Sequence, residues 1–308
     1  MKEKVLITGG SGFIGSHVKD ELNKHGFQVL SIGRNDLEDI KIDLKESKLQ
    51  NVIDGFLPDV VCHFASGSNI ERANENKEKE FNDTVLATES LVECLKRDCL
   101  KRKTKNTKVI YLSSQAVYGL PKFLPVLEDH STEPVTAYGE NKLKAENIIL
   151  QSGLNYFILR VSSVYGPMQN PQKSGVIAKF VNKMENSESP IVFNSFDNFI
   201  DLIYVKDLAS ATVKLIQNSL EMNLKNEIFN LGSGKPTTLK EILDILYEYY
   251  PNAPKPVLKM NPLYLDKENK GLYLDVKKIQ NSLRWDCKYN VNSGIKDMFK
   301  NKMSTQKV

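Results

Sequence analysis

The stretch Thr8-Gly9-Gly10-Ser11-Gly12-Phe13-Ile14-Gly15 constrains this chain more than any other segment. It fits G-x-G-x-x-G from Gly10 and G-x-x-G-x-x-G from Gly9. It follows the strand-like Val5-Leu6-Ile7 and opens a helical pattern from Gly15 to His25. That context, rather than the glycines alone, gives the match its meaning. Glycines there allow a tight turn, let backbone approach a pyrophosphate, and let helix pack closely on strand. The helix N-terminus then offers unpaired N–H groups to phosphate. Gly9, Ser11, Gly12, Phe13, Ile14 and Gly15 are therefore the expected cofactor-binding residues of a dinucleotide site. A second glycine turn, Gly232-Ser233-Gly234-Lys235-Pro236-Thr237, lacks P-loop spacing, and a proline follows its lysine, so no ATP site is read there.

The first half alternates short apolar runs with helical patterns. Strands are expected at 28–32, 60–64, 109–112 and 157–161, with helices near 78–96 and 138–150. Continuous apolar strands between helices predict an α/β fold with a doubly wound parallel (Rossmann) sheet. After Gly166-Pro167 the segments become irregular and proline-rich. This divides the chain into a dinucleotide-binding domain, 1–166, and a smaller, mainly substrate-binding region, 167–308. Segments 199–216 and 228–233 look strand-like or helical again and are expected to return to the Rossmann core.

Composition narrows the function classes. Lys plus Arg number 42 against 38 Asp plus Glu, a net +4, too weak to imply a nucleic-acid partner. The basic run Lys96–Lys108 reads as a solvated helix end and loop. Cys62, Cys94, Cys99 and Cys287 form no C-x-x-C pair and no Cys/His cluster of zinc spacing, so no metal site is read. They fit reduced thiols of a cytoplasmic protein. The N-terminus lacks a signal-peptide core, and no apolar run reaches membrane-spanning length, so no membrane partner is expected.

The end of the second strand separates the two dinucleotides. An acid there bonds the ribose 2′-OH, whereas an arginine accepts a 2′-phosphate. The strand ends in Gly33-Arg34, which favours NADP(H), with Arg34 as the phosphate contact. Asp36 keeps NAD(H) open. Ser31 is either a phosphate contact or simply buried.

Tyr138-Gly139-Glu140-Asn141-Lys142 is Y-x-x-x-K at the start of a helix, with both side chains on one face. A lysine cation one turn away favours the phenolate, so Tyr138 could exchange a proton with a sugar hydroxyl or carbonyl. Ser114, in Tyr111-Leu112-Ser113-Ser114-Gln115-Ala116-Val117-Tyr118-Gly119, stands just after a strand, where ligands bind in such sheets.

Together these motifs resemble the extended short-chain dehydrogenase/reductases, of the NAD-dependent epimerase/dehydratase kind, which mostly act on nucleotide sugars. The resemblance runs from Val5 to Trp285. It also includes Lys41-Ile42-Asp43-Leu44, Val61 to Ser66, Asn82, Val164-Tyr165-Gly166-Pro167, Ile203 to Leu208 and Phe229 to Gly234. It implies Ser114, Tyr138 and Lys142 as catalytic residues, with Tyr138 and Lys142 also touching the cofactor. It implies Asp43 and Leu44 beside the adenine, and Phe64, Ala65, Ser66, Asn82 and Ser113 along the cofactor. Ser114, Gln115, Ser163 and Val176 are implied on the substrate side. A homodimer through the helices near 84–96 and 138–150 is implied as well.

Departures sharpen the expectation. Gln115-Ala116 stand where the family's dehydratases carry Asp-Glu. Ser163 replaces a frequent Asn, Phe196 a frequent Gly, and Ile200 the arginine that grips the nucleotide diphosphate. Lys173, Lys179 and Lys270 are candidate replacements for that arginine. Three readings follow: an NAD(P)-dependent nucleotide-sugar epimerase, an NADPH-dependent 4-ketoreductase forming a 6-deoxysugar nucleotide, and a dinucleotide sensor without chemistry.

Overall fold

The computed structural model describes residues 3–67, 73, 75–102, 107–171, 175–221, 224–260 and 270–305. The strands are β1 (Lys4–Thr8), β2 (Gln28–Gly33), β3 (Ile40–Lys41), β4 (Val60–His63), β5 (Lys108–Ser114), β6 (Asn155–Val161), β7 (Ser163–Tyr165), β8 (Ile191–Phe193), β9 (Phe199–Tyr204), β10 (Glu227–Leu231), β11 (Pro236–Thr238), β12 (Val257–Lys259) and β13 (Gly271–Leu272). The helices are α1 (Phe13–Lys24), α2 (Leu49–Phe56), α3 (Lys77–Phe81), α4 (Ala87–Arg102), α5 (Ala137–Leu150), α6 (Val176–Glu185), α7 (Val205–Glu221), α8 (Leu239–Tyr249), α9 (Lys277–Leu283) and α10 (Val291–Thr305).

Seven strands form one sheet in the order β10-β6-β5-β4-β1-β2-β3, every neighbouring pair parallel. This is the Rossmann sheet that the alternation predicts. Alternate residues of each strand feed opposite faces. Val5 and Ile7 join one core with α1, α7 and α9, while Leu6 joins the other with α2, α4 and α5. Both faces are covered, which is why these strands are apolar throughout.

The strand order reverses between β1 and β4. In open parallel sheets a ligand binds at such a point, beyond the carboxyl ends of the strands. The Gly9–Gly15 turn leaves β1 there, and Phe64-Ala65-Ser66 leaves β4.

The remaining strands are short. β9 pairs with β7, β11 and β13 in a smaller sheet, and β8 pairs with β12. A third core around Tyr165, Phe180, Tyr204 and Leu246 fills this part. Phe199–Tyr204 thus belongs to the smaller sheet, whereas Glu227–Leu231 is the edge strand of the large one.

The expected helix near 78–96 is not a plain α-helix. Asn82–Leu86 widens into a π-helical turn between α3 and α4. Such turns frequently sit at functional sites, and this one presents Asn82 and Asp83 to the cleft beside the Gly9–Gly15 turn.

Candidate active site

Gly9 takes a positive φ of 73°, and its N–H donates to Ile32 O at 2.8 Å. A Cβ on Gly15 would stand 2.1 Å from Gly9 O, so only glycine lets α1 start this close to β1. Gly12, the N-cap of α1, has no side chain to accept from the first-turn N–H groups, which are left for a ligand. A dinucleotide pyrophosphate fits this cradle.

Thr8 ties the two strand ends together. Its Oγ1 accepts from the N–H groups of Phe64 at 3.2 Å and Ala65 at 3.1 Å. It also bonds His63 Nδ1 at 2.8 Å. On the other side of the ring, Nε2 meets Thr88 Oγ1 at 2.9 Å, and that hydroxyl donates to Thr84 O at 2.6 Å. Thr88 therefore accepts from Nε2–H, and Thr8 donates to a bare Nδ1. Burial, with a smaller push from the Lys142 cation, lowers His63 to about 3, so the ring is neutral.

The cleft wall carries Arg34, Glu38, Asp43, Leu44, Ala65, Ser66 and Asn82 around Gly9, Ser11 and Gly12. The Arg34 fork binds Asp83 at 2.7 and 3.0 Å, and Asp43 lies 4.0 Å away. Asp36 does not take the place of a ribose acid. It is exposed and pairs with Lys41 at 2.6 Å. Ser31 is fully buried, bonded to Asp39 and Lys19, so it is structural. Glu38 was not singled out by the sequence, because it stands five residues past the strand end at Gly33. Its carboxylate nevertheless accepts from Ser11 N at 2.8 Å and from Ser11 Oγ at 2.6 Å.

The proposed catalytic residues converge beside this cleft. Ser114 ends β5, and Thr136 caps α5 by accepting from Gly139 N at 3.1 Å. Gly139 lies so near Ala116 O, at 2.5 Å from a Cβ built there, that α5 packs tightly on the Gln115–Tyr118 turn. This brings Tyr138 against the Ser114 hydroxyl. Burial pushes the Tyr138 phenol up to about 12, and Ser114 opposes it. Lys142 Nζ stands 5.8 Å from the Tyr138 ring centre and donates to Ser66 Oγ at 3.0 Å and Leu112 O at 2.8 Å. Burial lowers Lys142 to about 8, opposed by Glu80 and Glu146. Glu80, a second residue the sequence left unmarked, is buried and receives the Thr84 hydroxyl at 2.9 Å.

Other expected site residues are placed less directly. Ser113 turns its hydroxyl to Glu146, which Arg160 holds through Nε and Nη2 in a buried network. Its side chain therefore supports the site from behind rather than lining the cleft. Phe64 likewise lies in the core and offers only backbone. Phe13 and Ile14 open α1. Gln115 keeps a buried Oε1 with no partner among the described residues. Ser163 lies in β7 beside Leu202, and Val176 opens α6. Ile200 sits within β9, opposite Thr237. Of the lysines considered in its place, Lys173 lies outside the described residues. Lys179 is on α6, and exposed Lys270 precedes β13.

Comparison with known proteins gives the family of this chain. The NAD dependent epimerase/dehydratase family matches residues 5–232, and the chain belongs to that family. It is an enzyme of the extended short-chain dehydrogenase/reductase type. It is 34% identical to the Methanocaldococcus jannaschii protein named "Putative UDP-glucose 4-epimerase", over 95% of this chain and 96% of that one. It is 27% identical to the dTDP-4-dehydro-6-deoxyglucose reductase of Escherichia coli, over 97% of each chain. The crystal structure of a UDP-glucose 4-epimerase with UDP-glucose, from Thermotoga maritima, superposes with a TM-score of 0.85 at 25% identity, covering 98% of this chain and 99% of that one. Among the described residues, no helix is long and apolar enough to cross a membrane.

Proposed function

We propose that the protein interconverts nucleotide sugars by epimerisation at a sugar hydroxyl carbon, with Tyr138 as the base. The observation that carries this reading is the convergence of Ser114, Tyr138 and Lys142 beside the Gly9–Gly15 turn. A bound nicotinamide dinucleotide supplies the site that takes a hydride from the sugar carbon and returns it to the opposite face. The protein's own part is proton handling and orientation. Ser114 holds the reacting oxygen, and Tyr138 removes its proton. Lys142 keeps a cation near the phenol, opposing the burial that otherwise keeps the phenol protonated. Gln115, Ser163 and Val176 face the substrate in this reading. The similarity to UDP-glucose 4-epimerases supports a uridine diphosphohexose as substrate.

The E. coli relative supports a second reading, reduction of a 4-keto sugar nucleotide. The two readings part on stoichiometry. Purified protein incubated with UDP-glucose should form UDP-galactose with no added reductant. Stoichiometric oxidation of a reduced dinucleotide with a 4-keto-6-deoxysugar nucleotide, and no epimer from UDP-hexoses, would replace epimerisation by reduction. We also propose a homodimer in which α4 and α5 pair with their copies. A monomeric mass in solution would remove it.

A further inference from the structure

We propose that Glu38 acts as an internal anion that selects NAD(H) and rejects NADP(H). The proposal rests on the dinucleotide reading of the Gly9–Gly15 turn and reverses the choice that Gly33-Arg34 suggested. A side chain at Gly33 would project from the end of β2 into the place where the ribose-reading acid of a dinucleotide site stands. That place is filled by Glu38. A Cβ built on Gly33 would lie 3.0 Å from Glu38 Oε1. The carboxylate reaches back from the loop after β2 and supplies the acid that the strand end lacks.

Two donors at this point could have held a 2′-phosphate, and both are committed to carboxylates. Ser11 gives its N–H and its hydroxyl to Glu38 Oε1. Arg34 gives both arms of its fork to Asp83. Among the described residues, the charged side chains of the cleft wall are Arg34 and Lys45 against Glu38, Asp43 and Asp83. A dianionic phosphate would enter a wall with an excess of negative charge, beside a carboxylate that is 9% exposed. Like charges brought together at this range are strongly disfavoured. Glu38 Oε2 is buried and has no hydrogen-bond partner among the described residues. That oxygen lies 3.2 Å from a Cβ built on Gly10, so the turn that would hold the ribose has a carboxylate with acceptor capacity to spare beside it.

The test is titration calorimetry of the purified protein with NAD+ and with NADP+, together with identification of any dinucleotide released on acid denaturation. The wild type should bind NAD+ at least ~100-fold tighter than NADP+. Glu38→Gln keeps the acceptor for Ser11 and removes only the charge, so the fold should survive. It should narrow that ratio at least ~tenfold, chiefly by tighter NADP+ binding. Asp83→Asn, which loosens Arg34, should shift the ratio the same way by a smaller factor. A wild type that prefers NADP+, or a ratio unchanged in Glu38→Gln, would overturn the role of Glu38 and leave the dinucleotide site standing. Failure of every variant to bind either dinucleotide would remove the site and this role with it.

Discussion

The chain builds two Gly-Ser-Gly turns, each at the carboxyl end of a strand of the large sheet. Gly10-Ser11-Gly12 follows β1, and Gly232-Ser233-Gly234 follows β10. In both, the serine gives N–H and hydroxyl to one carboxylate oxygen. Ser11 reaches Glu38 at 2.8 and 2.6 Å, and Ser233 reaches Asp201 at 2.8 and 2.8 Å. The second oxygens differ. Asp201 Oδ2 accepts from Gly234 N at 3.3 Å and Leu274 N at 3.1 Å, in full burial. Glu38 Oε2 accepts from no described residue, and its side chain lines a cleft. One turn is closed by its carboxylate, whereas the other keeps acceptor capacity and a helix N-terminus open. A glycine turn thus offers a binding site through what is left unsatisfied around it, and not through its glycines alone.

In this comparison the first turn is the proposed cofactor site and the second a structural tie, and five measurements can break or sharpen it. The largest effect belongs to the chemistry. Tyr138→Phe should lower kcat by ~10²- to 10⁴-fold with an unchanged melting temperature. Near-normal turnover in that variant would detach the site from the first turn. Next, Asp201→Ala strands the N–H groups of Ser233, Gly234 and Leu274 and the Ser233 hydroxyl. It should cost about 3 kcal/mol or more in urea denaturation, while the folded fraction still binds dinucleotide. Loss of binding without loss of stability would give both turns the same role.

Two matched substitutions sharpen the contrast. Gly15→Ala forces a methyl onto Gly9 O and should weaken dinucleotide binding at least ~tenfold, through about 1–3 kcal/mol of overpacking at the helix start. In Gly234→Ala, φ is +71° and the nearest atom is Val276 Cγ2 at 2.9 Å. That change should cost stability of about 1 kcal/mol or more and leave dinucleotide affinity alone. The last measurement reads a slope. His63 is held neutral at about 3, so the unfolded chain takes up a proton as pH falls below its ordinary 6.5, while the native chain does not. The neutral-ring stability is complete above 6.5 and is lost as pH falls towards 3, by about 1.4 kcal/mol per pH unit. His63→Asn should flatten that slope in denaturation curves at pH 6 and 4. An identical slope would mean that the ring protonates in place.

The cofactor side of the fold was legible because it is written in backbone rules. Continuous apolar strands such as Val60-Val61-Cys62 require cover on both faces, and Gly15 has one structural explanation. The proximity of Ser114, Tyr138 and Lys142 was also readable, since helical spacing joins two of them and a strand end supplies the third. Sequence failed where a side chain acts at a distance from its neighbours in the chain. Arg34 looked like a free cation because Asp83 is 49 residues away. Glu38 was invisible because the return of the loop after β2, not spacing, brings it to Ser11. Ser113 was expected along the cofactor, but adjacent strand residues face opposite sides, and its hydroxyl meets Glu146, which Arg160 holds.

The edge strand β10 has a consequence for how this chain is made. β6 ends at Val161, but its outer neighbour begins only at Glu227. Asn230 then stitches that neighbour inward, its side chain bonding Tyr118, Val126 and Asp275. A nascent chain with 166 residues released already holds every other strand of the large sheet, yet β6, apolar from Tyr156 to Leu159, would form a bare edge able to pair with another copy. The cofactor half is therefore contiguous in space but not in time: it cannot seal its own border until most of the chain has left the ribosome.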